Sequence, residues 1–234
     1  MSRAILHACS IGLAALALVT GVVASAMAQS PGAASLSPPG TWEVSGGGVL
    51  VGGYQLGERA AELTPNSGST GFEQFTTDNR VRPAFGVQAR VGFVVTPALS
   101  VEGGLRFTRP LYEVRVSGDA EDAPDTTVEE KLSQYVFDGS VVWHLAGAAF
   151  GGGRAVPFVF GGAGYLRELH EEDALVEEGL EYHAGGGLKW WFGDGRRRVG
   201  VRGEAGISIR DGGFDFKDAQ RVVPTVGGSL IYTF

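Results

Sequence analysis

Apolar residues recur at every second position along most of this chain. Phe85, Val87, Ala89, Val91, Phe93 and Val95 alternate with Gly86, Gln88, Arg90 and Gly92. Leu99, Val101, Gly103, Leu105 and Phe107 alternate with Ser100, Glu102, Gly104 and Arg106. The same beat runs through 135–145, 180–192, 199–209 and 226–234. A period of two is the mark of a β-strand, whose successive side chains point to opposite faces. From residue 41 onward no run keeps a helical period beyond a turn or two. The chain therefore reads as all-β, with eight strands at 42–56, 84–96, 99–116, 131–146, 156–169, 180–193, 198–210 and 221–234.

Many of these exceed the ~5–6 residues usual for a soluble strand. They reach the ~9–11 residues that a tilted strand needs to cross a bilayer. The links at 96–98, 147–155 and 193–197 are short, whereas 57–83, 117–130, 170–179 and 211–220 are mostly longer. Short turns at one end and long loops at the other is the habit of outer-membrane barrels.

Composition narrows the choice. Apolar residues make up 44% and charged residues 19%, which excludes wholesale disorder. A net charge of −7 argues against nucleic acid as a partner. The single Cys9 allows no disulfide framework and no multi-cysteine zinc site. There are 38 glycines, more than twice the usual ~7%, without a Gly-X-Y period. Interleaved with aromatic and β-branched residues, they suit strongly bent, closely packed strands.

The N-terminus has the form of a secretion signal. Arg3 precedes an apolar stretch over 11–23, and Ala26 and Ala28 frame a small-x-small cleavage site. A permanent membrane anchor is the alternative, but no basic stop-transfer cluster follows. The expected organisation is a cleaved signal at 1–28, a flexible Ser/Pro/Gly/Ala leader at 29–40 and a barrel at 41–234.

The remaining question is which face meets the core. Trp42, Phe107, Trp143, Trp190, Phe192, Tyr232 and Phe234 fall near strand ends, like the girdles at membrane interfaces. A secreted lipocalin-like barrel with an apolar interior is the rival. The aromatic placement, export signal and terminal aromatic favour apolar residues on the outside.

The ending Val226-Gly-Gly-Ser-Leu230-Ile-Tyr232-Thr-Phe234 resembles the C-terminal assembly signal of outer-membrane barrels. Pro157-Phe-Val-Phe-Gly-Gly-Ala-Gly-Tyr165 resembles the fifth strand of the OmpA/OmpX-like barrel family. Gly185-Gly-Gly-Leu-Lys-Trp-Trp-Phe192 and Val199-Gly-Val-Arg-Gly-Glu-Ala205 resemble its sixth and seventh. The resemblance covers about 41–234 and implies an eight-stranded antiparallel up-and-down transmembrane β-barrel in the outer membrane of a Gram-negative cell. It also implies periplasmic chaperones, the barrel-assembly machinery and outer-membrane lipids with lipopolysaccharide as partners, and a monomer. No peptidoglycan-binding domain is expected after Phe234. The family is functionally mixed, so the resemblance is informative about fold and location and not about activity.

Within such a barrel Arg90, Glu102, Arg106, Arg202 and Glu204 face inward and are expected to form an ion-pair network, since unpaired buried charge is costly. Structural filling of a narrow interior is the plain reading. A gate on a small ion path, as in a narrow ion-conducting porin, is the sharper one. A lipid A-modifying enzyme is a further alternative. Asp138, Ser140 and His144 share one strand face, but four residues at ~3.4 Å each hold Ser140 and His144 too far apart for nucleophile and base unless another strand contributes. The cluster at 161–164 has no helix to open and is not a nucleotide-binding loop. Two loops are acidic: 117–130 carries Asp119, Glu121, Asp122, Asp125, Glu129 and Glu130, and 168–181 carries seven carboxylates. A solvated rim is the plain reading, and weak Ca²⁺ or Mg²⁺ bridging to lipopolysaccharide phosphates is the rival. The sequence leads to no enzyme, no cofactor and no metal site. It leads to a structural or surface-interaction protein of the envelope.

Overall fold

The computed structural model describes residues 36–63, 72–120, 123–170, 176–193, 195–212 and 220–234. The signal, its cleavage residues Ala26 and Ala28, and the leader through residue 35 lie outside the described residues, as do stretches of the acidic loops.

Eleven strands follow one another along the chain. They are β1 (Trp42–Val51), β2 (Tyr54–Leu63), β3 (Phe72–Val81), β4 (Ala84–Thr96), β5 (Leu99–Thr108) and β6 (Leu111–Ser117), then β7 (Thr126–His144), β8 (Ala155–His170), β9 (Val176–Phe192), β10 (Arg198–Gly212) and β11 (Arg221–Thr233). Antiparallel pairing runs β7–β5–β4–β1–β11–β10–β9–β8, and β8 pairs again with β7. β6, β3 and β2 extend from the upper part of β7 as a side sheet. Trp42 and Phe234 exchange backbone hydrogen bonds at 3.2 and 3.0 Å, joining the two chain ends of the sheet. We call this end, with its short turns, the lower end. No helix among the described residues is long and apolar enough to cross a membrane.

This overturns the eight-stranded up-and-down barrel expected from the sequence. In an up-and-down order each strand pairs with the next, but here β1 pairs with β4 and β5 with β7. Two causes are visible. The long link expected at 57–83 contains most of β2 and all of β3, which pair with each other through two bulges. The strand expected at 99–116 breaks at Arg109–Pro110, where proline offers no backbone N–H. Beyond the break β6 leaves the neighbourhood of β4 and pairs with β3 and with the upper part of β7.

Burial alternates with the strand period. On β4, Gly86, Gln88, Arg90, Gly92 and Val94 are buried, and Phe85, Val87, Ala89 and Val91 are exposed. The polar face is therefore inside and the apolar face outside, the reverse of a water-soluble core. Apolar clusters are confined to the ends of the interior. Leu56, Val81, Tyr112 and Leu132 form one at the upper end, where β2, β3 and β6 fold over the top, and Val49, Val51 and Val223 form another there, sharing Tyr54 with the first. Ala149, Val156, Trp191 and Ile231, packed by Leu36, form the lower one. The β7–β8 turn at the lower end needs three consecutive left-handed residues, supplied by Gly151, Gly152 and Gly153 at φ 61°, 71° and 84°.

Candidate functional site

Between the apolar clusters of its two ends the interior is a column of charged side chains. Its lower tier centres on Lys189, which is 1% exposed. Lys189 Nζ donates to Glu43, lies 3.6 Å from Glu102, and sits 3.2 Å from His144 Nε2. Beneath it, Ser37 Oγ donates to Glu43 at 3.0 Å and accepts from Arg198 at 2.9 Å. The Arg198 guanidinium lies over the Trp191 ring at 4.2 Å.

The middle tier holds four of the five interior residues expected from the sequence. Arg202 Nη1 donates to both oxygens of Glu102, at 2.9 and 2.8 Å. Its Nε donates to Glu204 at 2.8 Å, and its guanidinium rests on the Phe158 ring at 4.6 Å. Arg90 donates to Asp138 at 2.9 Å and approaches Glu204 at 3.8 Å. Gln88 completes the shell of Glu204 at 3.0 Å. Each carboxylate thus meets at least one guanidinium or ammonium, which offsets the cost of removing both from water.

Arg106 belongs to a separate upper tier. It and Arg210 hold Glu181 from two sides, with Arg210 Nε at 2.9 Å and Ser208 Oγ adding a third donor at 3.0 Å. Gln134 links this tier to Glu168 and, at 3.2 Å, to the Tyr54 hydroxyl. The guanidiniums of Arg210 and Arg221 lie over the Tyr54 ring, 5.5 and 5.3 Å from its centre. Sequence reasoning placed Asp138, Glu181, Lys189 and Arg210 on the polar beat of their strands but did not include them in the ion-pair network. Each stands on the inward beat of its strand, and that beat was the available signal.

The column contains a contact between a nucleophile type and a base type. Ser140 Oγ and His183 Nε2 are 2.8 Å apart, and Ser140 Oγ lies 3.2 Å from Asp138 Oδ1. The partner of Ser140 comes from β9, not from His144 on its own strand. Asp138 approaches the same ring nitrogen, Nε2, at 3.8 Å. A catalytic triad needs its carboxylate behind the other nitrogen, where it orients the base. The adjoining cavity, lined by Arg90, Arg106, Asp138 and His183, has a volume of about 20 Å³. That is room for one water molecule and not for an acyl substrate. Among the described residues no group of three or more His, Cys, Asp or Glu is placed to hold a metal ion.

The outer face carries two aromatic belts. Trp42 packs on Phe93 at 5.0 Å and Tyr232 stacks near Phe234 at 6.1 Å at the lower level, beside exposed Trp143 and Phe192. Phe107 packs on Tyr135 at 4.8 Å at the upper level, with Phe85, Tyr165 and Tyr182 exposed. Val226, Leu230, Tyr232 and Phe234, expected from the sequence as the assembly signal, are all exposed on this outer face.

Above the upper belt the side sheet carries ion pairs. Arg80 and Arg82 pair with Glu113, Arg82 reaches Glu129 at 3.2 Å, and Arg115 meets Asp125 at 2.7 Å. Hydrogen bonding to Asp125 raises the Arg115 pKa further. Burial, with the nearby Glu130 carboxylate, raises the Tyr112 phenol above its ordinary value. Its hydroxyl donates to Asn79 Oδ1 at 2.8 Å.

No protein-family model matches the chain, and the search of curated proteins finds no match. Solved structures similar to it include three outer-membrane proteins. OprG from Pseudomonas aeruginosa is 11% identical, with a TM-score of 0.49 over 86% of this chain and 99% of that one. Ail, the attachment invasion locus protein of Yersinia pestis, is 11% identical, with a TM-score of 0.44 over 84% and 99%. The N-terminal β-barrel domain of P. aeruginosa OprF is 11% identical, with a TM-score of 0.39 over 84% and 98%.

Proposed function

We propose that this chain is an integral protein of a Gram-negative outer membrane, exported with loss of its signal segment, whose role in the envelope is structural or interactive. One observation carries the reading: the molecule is inside out for water. Phe85 and Leu230 are 72% and 65% exposed, whereas Arg210, Glu181 and Lys189 are 1% exposed. Such a surface is stable against lipid, provided that backbone groups are paired strand to strand. From Phe85 to Phe93 the outer face of β4 covers roughly 27 Å at ~3.4 Å per residue. At a tilt of about 40° that is roughly 20 Å of depth, near the ~25 Å apolar band of outer-membrane strands.

The OmpA/OmpX-like resemblance of the sequence agrees with this reading. So does the expectation of chaperone and assembly-machinery partners, lipid contacts and a monomer. The filled column favours structural packing over a narrow porin. The misplaced Asp138 carboxylate and the small cavity favour a non-enzymatic role. The test is fractionation of the expressed full chain. Recovery in the detergent phase, with a mobility that changes on heating, supports the reading. Recovery in the aqueous phase without detergent overturns it.

A further inference from the structure

The residues just ahead of β1 fold back into the lower end of the interior. Leu36 is half-buried against the cluster of Ala149, Val156, Trp191 and Ile231. Ser37 is buried, with its hydroxyl 2.9 Å from Arg198 and 3.0 Å from Glu43. Pro38, Pro39 and Gly40 are exposed. Gly40 takes φ 81°, in the left-handed region, and its N–H donates to the Val94 carbonyl at 2.9 Å. Thr41 is then fully buried, and its carbonyl accepts from the Val94 N–H at 3.0 Å. The path is a glycine pivot, a stiff arm of two prolines and a two-residue head lodged in the lower mouth. Behind the head is a cavity of about 10 Å³, with Ser37, Glu43, His144, Val156 and Lys189 among its walls. That is about the least that one water molecule needs.

We infer that Leu36 and Ser37 are a releasable stopper, which swings on Gly40 and admits water from the lower end to Lys189, Glu43 and His144. Three features suit it to release. The head is held by one half-buried side chain and one hydroxyl, and segments with so few buried contacts open on their own. Both partners of Ser37 keep another contact when it leaves. Arg198 retains the Trp191 ring, and Glu43 retains Lys189. The pivot is free to turn: a β-carbon at Gly40 meets nothing within 4 Å, so glycine is required there by backbone conformation and not by space. Above the lower tier the column stays filled by Glu102 and Arg202, so the stopper controls entry to that tier and not passage through the molecule. The inference rests on the membrane reading only for the compartment it faces, since short turns mark the periplasmic end of outer-membrane strands.

The test is the rate at which a water-soluble thiol reagent reaches a cysteine behind the head. Val156, 1% exposed, is replaced by Cys in the full chain with Cys9→Ser, held in neutral detergent micelles. Leu132→Cys in the same background reports on the upper end. At position 156 labelling is expected to outpace global unfolding, because it tracks the open population of the stopper alone. Ser37→Ala should speed it roughly tenfold, and Leu36→Ser with Ser37→Ala about a hundredfold. Labelling at position 132 and the midpoint of urea unfolding should stay as in the parent. Heat-dependent mobility of every variant reports that it has folded. Labelling at position 156 that never exceeds the unfolding rate, or that is unchanged in the folded Leu36→Ser, Ser37→Ala chain, overturns the inference. So does a rise shared equally by positions 156 and 132, which makes the two residues ordinary packing. The same comparison can be run in water, so a chain recovered without detergent defeats the membrane reading while the labelling rates still decide the stopper.

Discussion

Ser140 on β7 and His183 on β9 meet at 2.8 Å although β8 runs between their strands. The contact exists because the β8 residue between them is Gly162, opposite both Ser140 and His183 in register. A β-carbon there falls 2.8 Å from His183 Nε2 and against the Gly139 carbonyl. Gly162→Ala is therefore expected to separate the pair and to destabilise the chain by about 1–3 kcal/mol, the range for overpacking. Gly139→Ala, whose β-carbon meets nothing within 4 Å, is expected to stay within about 0.5 kcal/mol of the parent. Urea unfolding in lipid vesicles compares the two, and equal losses would refute the role given to Gly162.

Glu102 and Arg202 form the best-bonded pair of the column, with both carboxylate oxygens engaged. Each side chain is 2% exposed. Glu102→Leu or Arg202→Met alone unbalances the buried charges, although Arg202 keeps Glu204 and Glu102 keeps Lys189, and is expected to cost up to about 3–5 kcal/mol. The double variant removes both charges, while Glu204 keeps Gln88 and Arg90 and Lys189 keeps Glu43. Its loss should fall short of the sum of the single losses by about 0.5–3 kcal/mol. Additive losses in a four-way unfolding cycle would show that the two groups do not act as a pair.

The inward beat of Gln88, Arg90, Glu102, Arg106, Arg202 and Glu204 was legible because alternation is local: one strand reveals its own two faces. Which inward residues meet was not legible. Arg106 is four residues from Glu102, yet its carboxylate is Glu181 on β9, selected by register across several strands. The side sheet was hidden for a different reason. The period of two runs on through 111–116 after Pro110, so nothing local marks the change of partner from β4 to β3. In β2 the bulges between Gln55 and Gly57 and between Ala61 and Glu62 break the alternation outright.

The Tyr112 phenol supplies a pH-dependent contribution with a definite sign. Burial raises its pKa above the ordinary 10.0, so the folded chain holds the proton more tightly than the unfolded one. The stability linked to this group is fully present below pH 10 and is lost as pH rises through the folded value. Tyr112→Phe removes the ionisable group but keeps the ring in the upper cluster. The variant is expected to lose the hydrogen bond to Asn79, about 1 kcal/mol, and to show a shallower decline of stability above pH 10. Unfolding measured from pH 8 to 12 tests this, and an unchanged alkaline slope would rule out Tyr112 as its source.

Tyr54 latches the side sheet onto the column, and its ring matters more than its hydroxyl. The hydroxyl contacts are long, 3.2 Å to Gln134 and 3.4 Å to Glu168. The ring meets the guanidiniums of both Arg210 and Arg221, and cation–π contacts of this kind contribute about 0.5–2 kcal/mol each when shielded from water. Tyr54→Phe should therefore change little, whereas Tyr54→Ala should loosen β2 and β3 over the upper end. Leu132, 1% exposed in the cluster beneath them, reports the difference when replaced by Cys in a chain whose Cys9 is Ser. A water-soluble thiol reagent should label that cysteine slowly in the parent and in Tyr54→Phe, and quickly in Tyr54→Ala. Fast labelling in Tyr54→Phe would transfer the latch to the hydroxyl, and slow labelling in Tyr54→Ala would leave the upper apolar cluster sufficient without it.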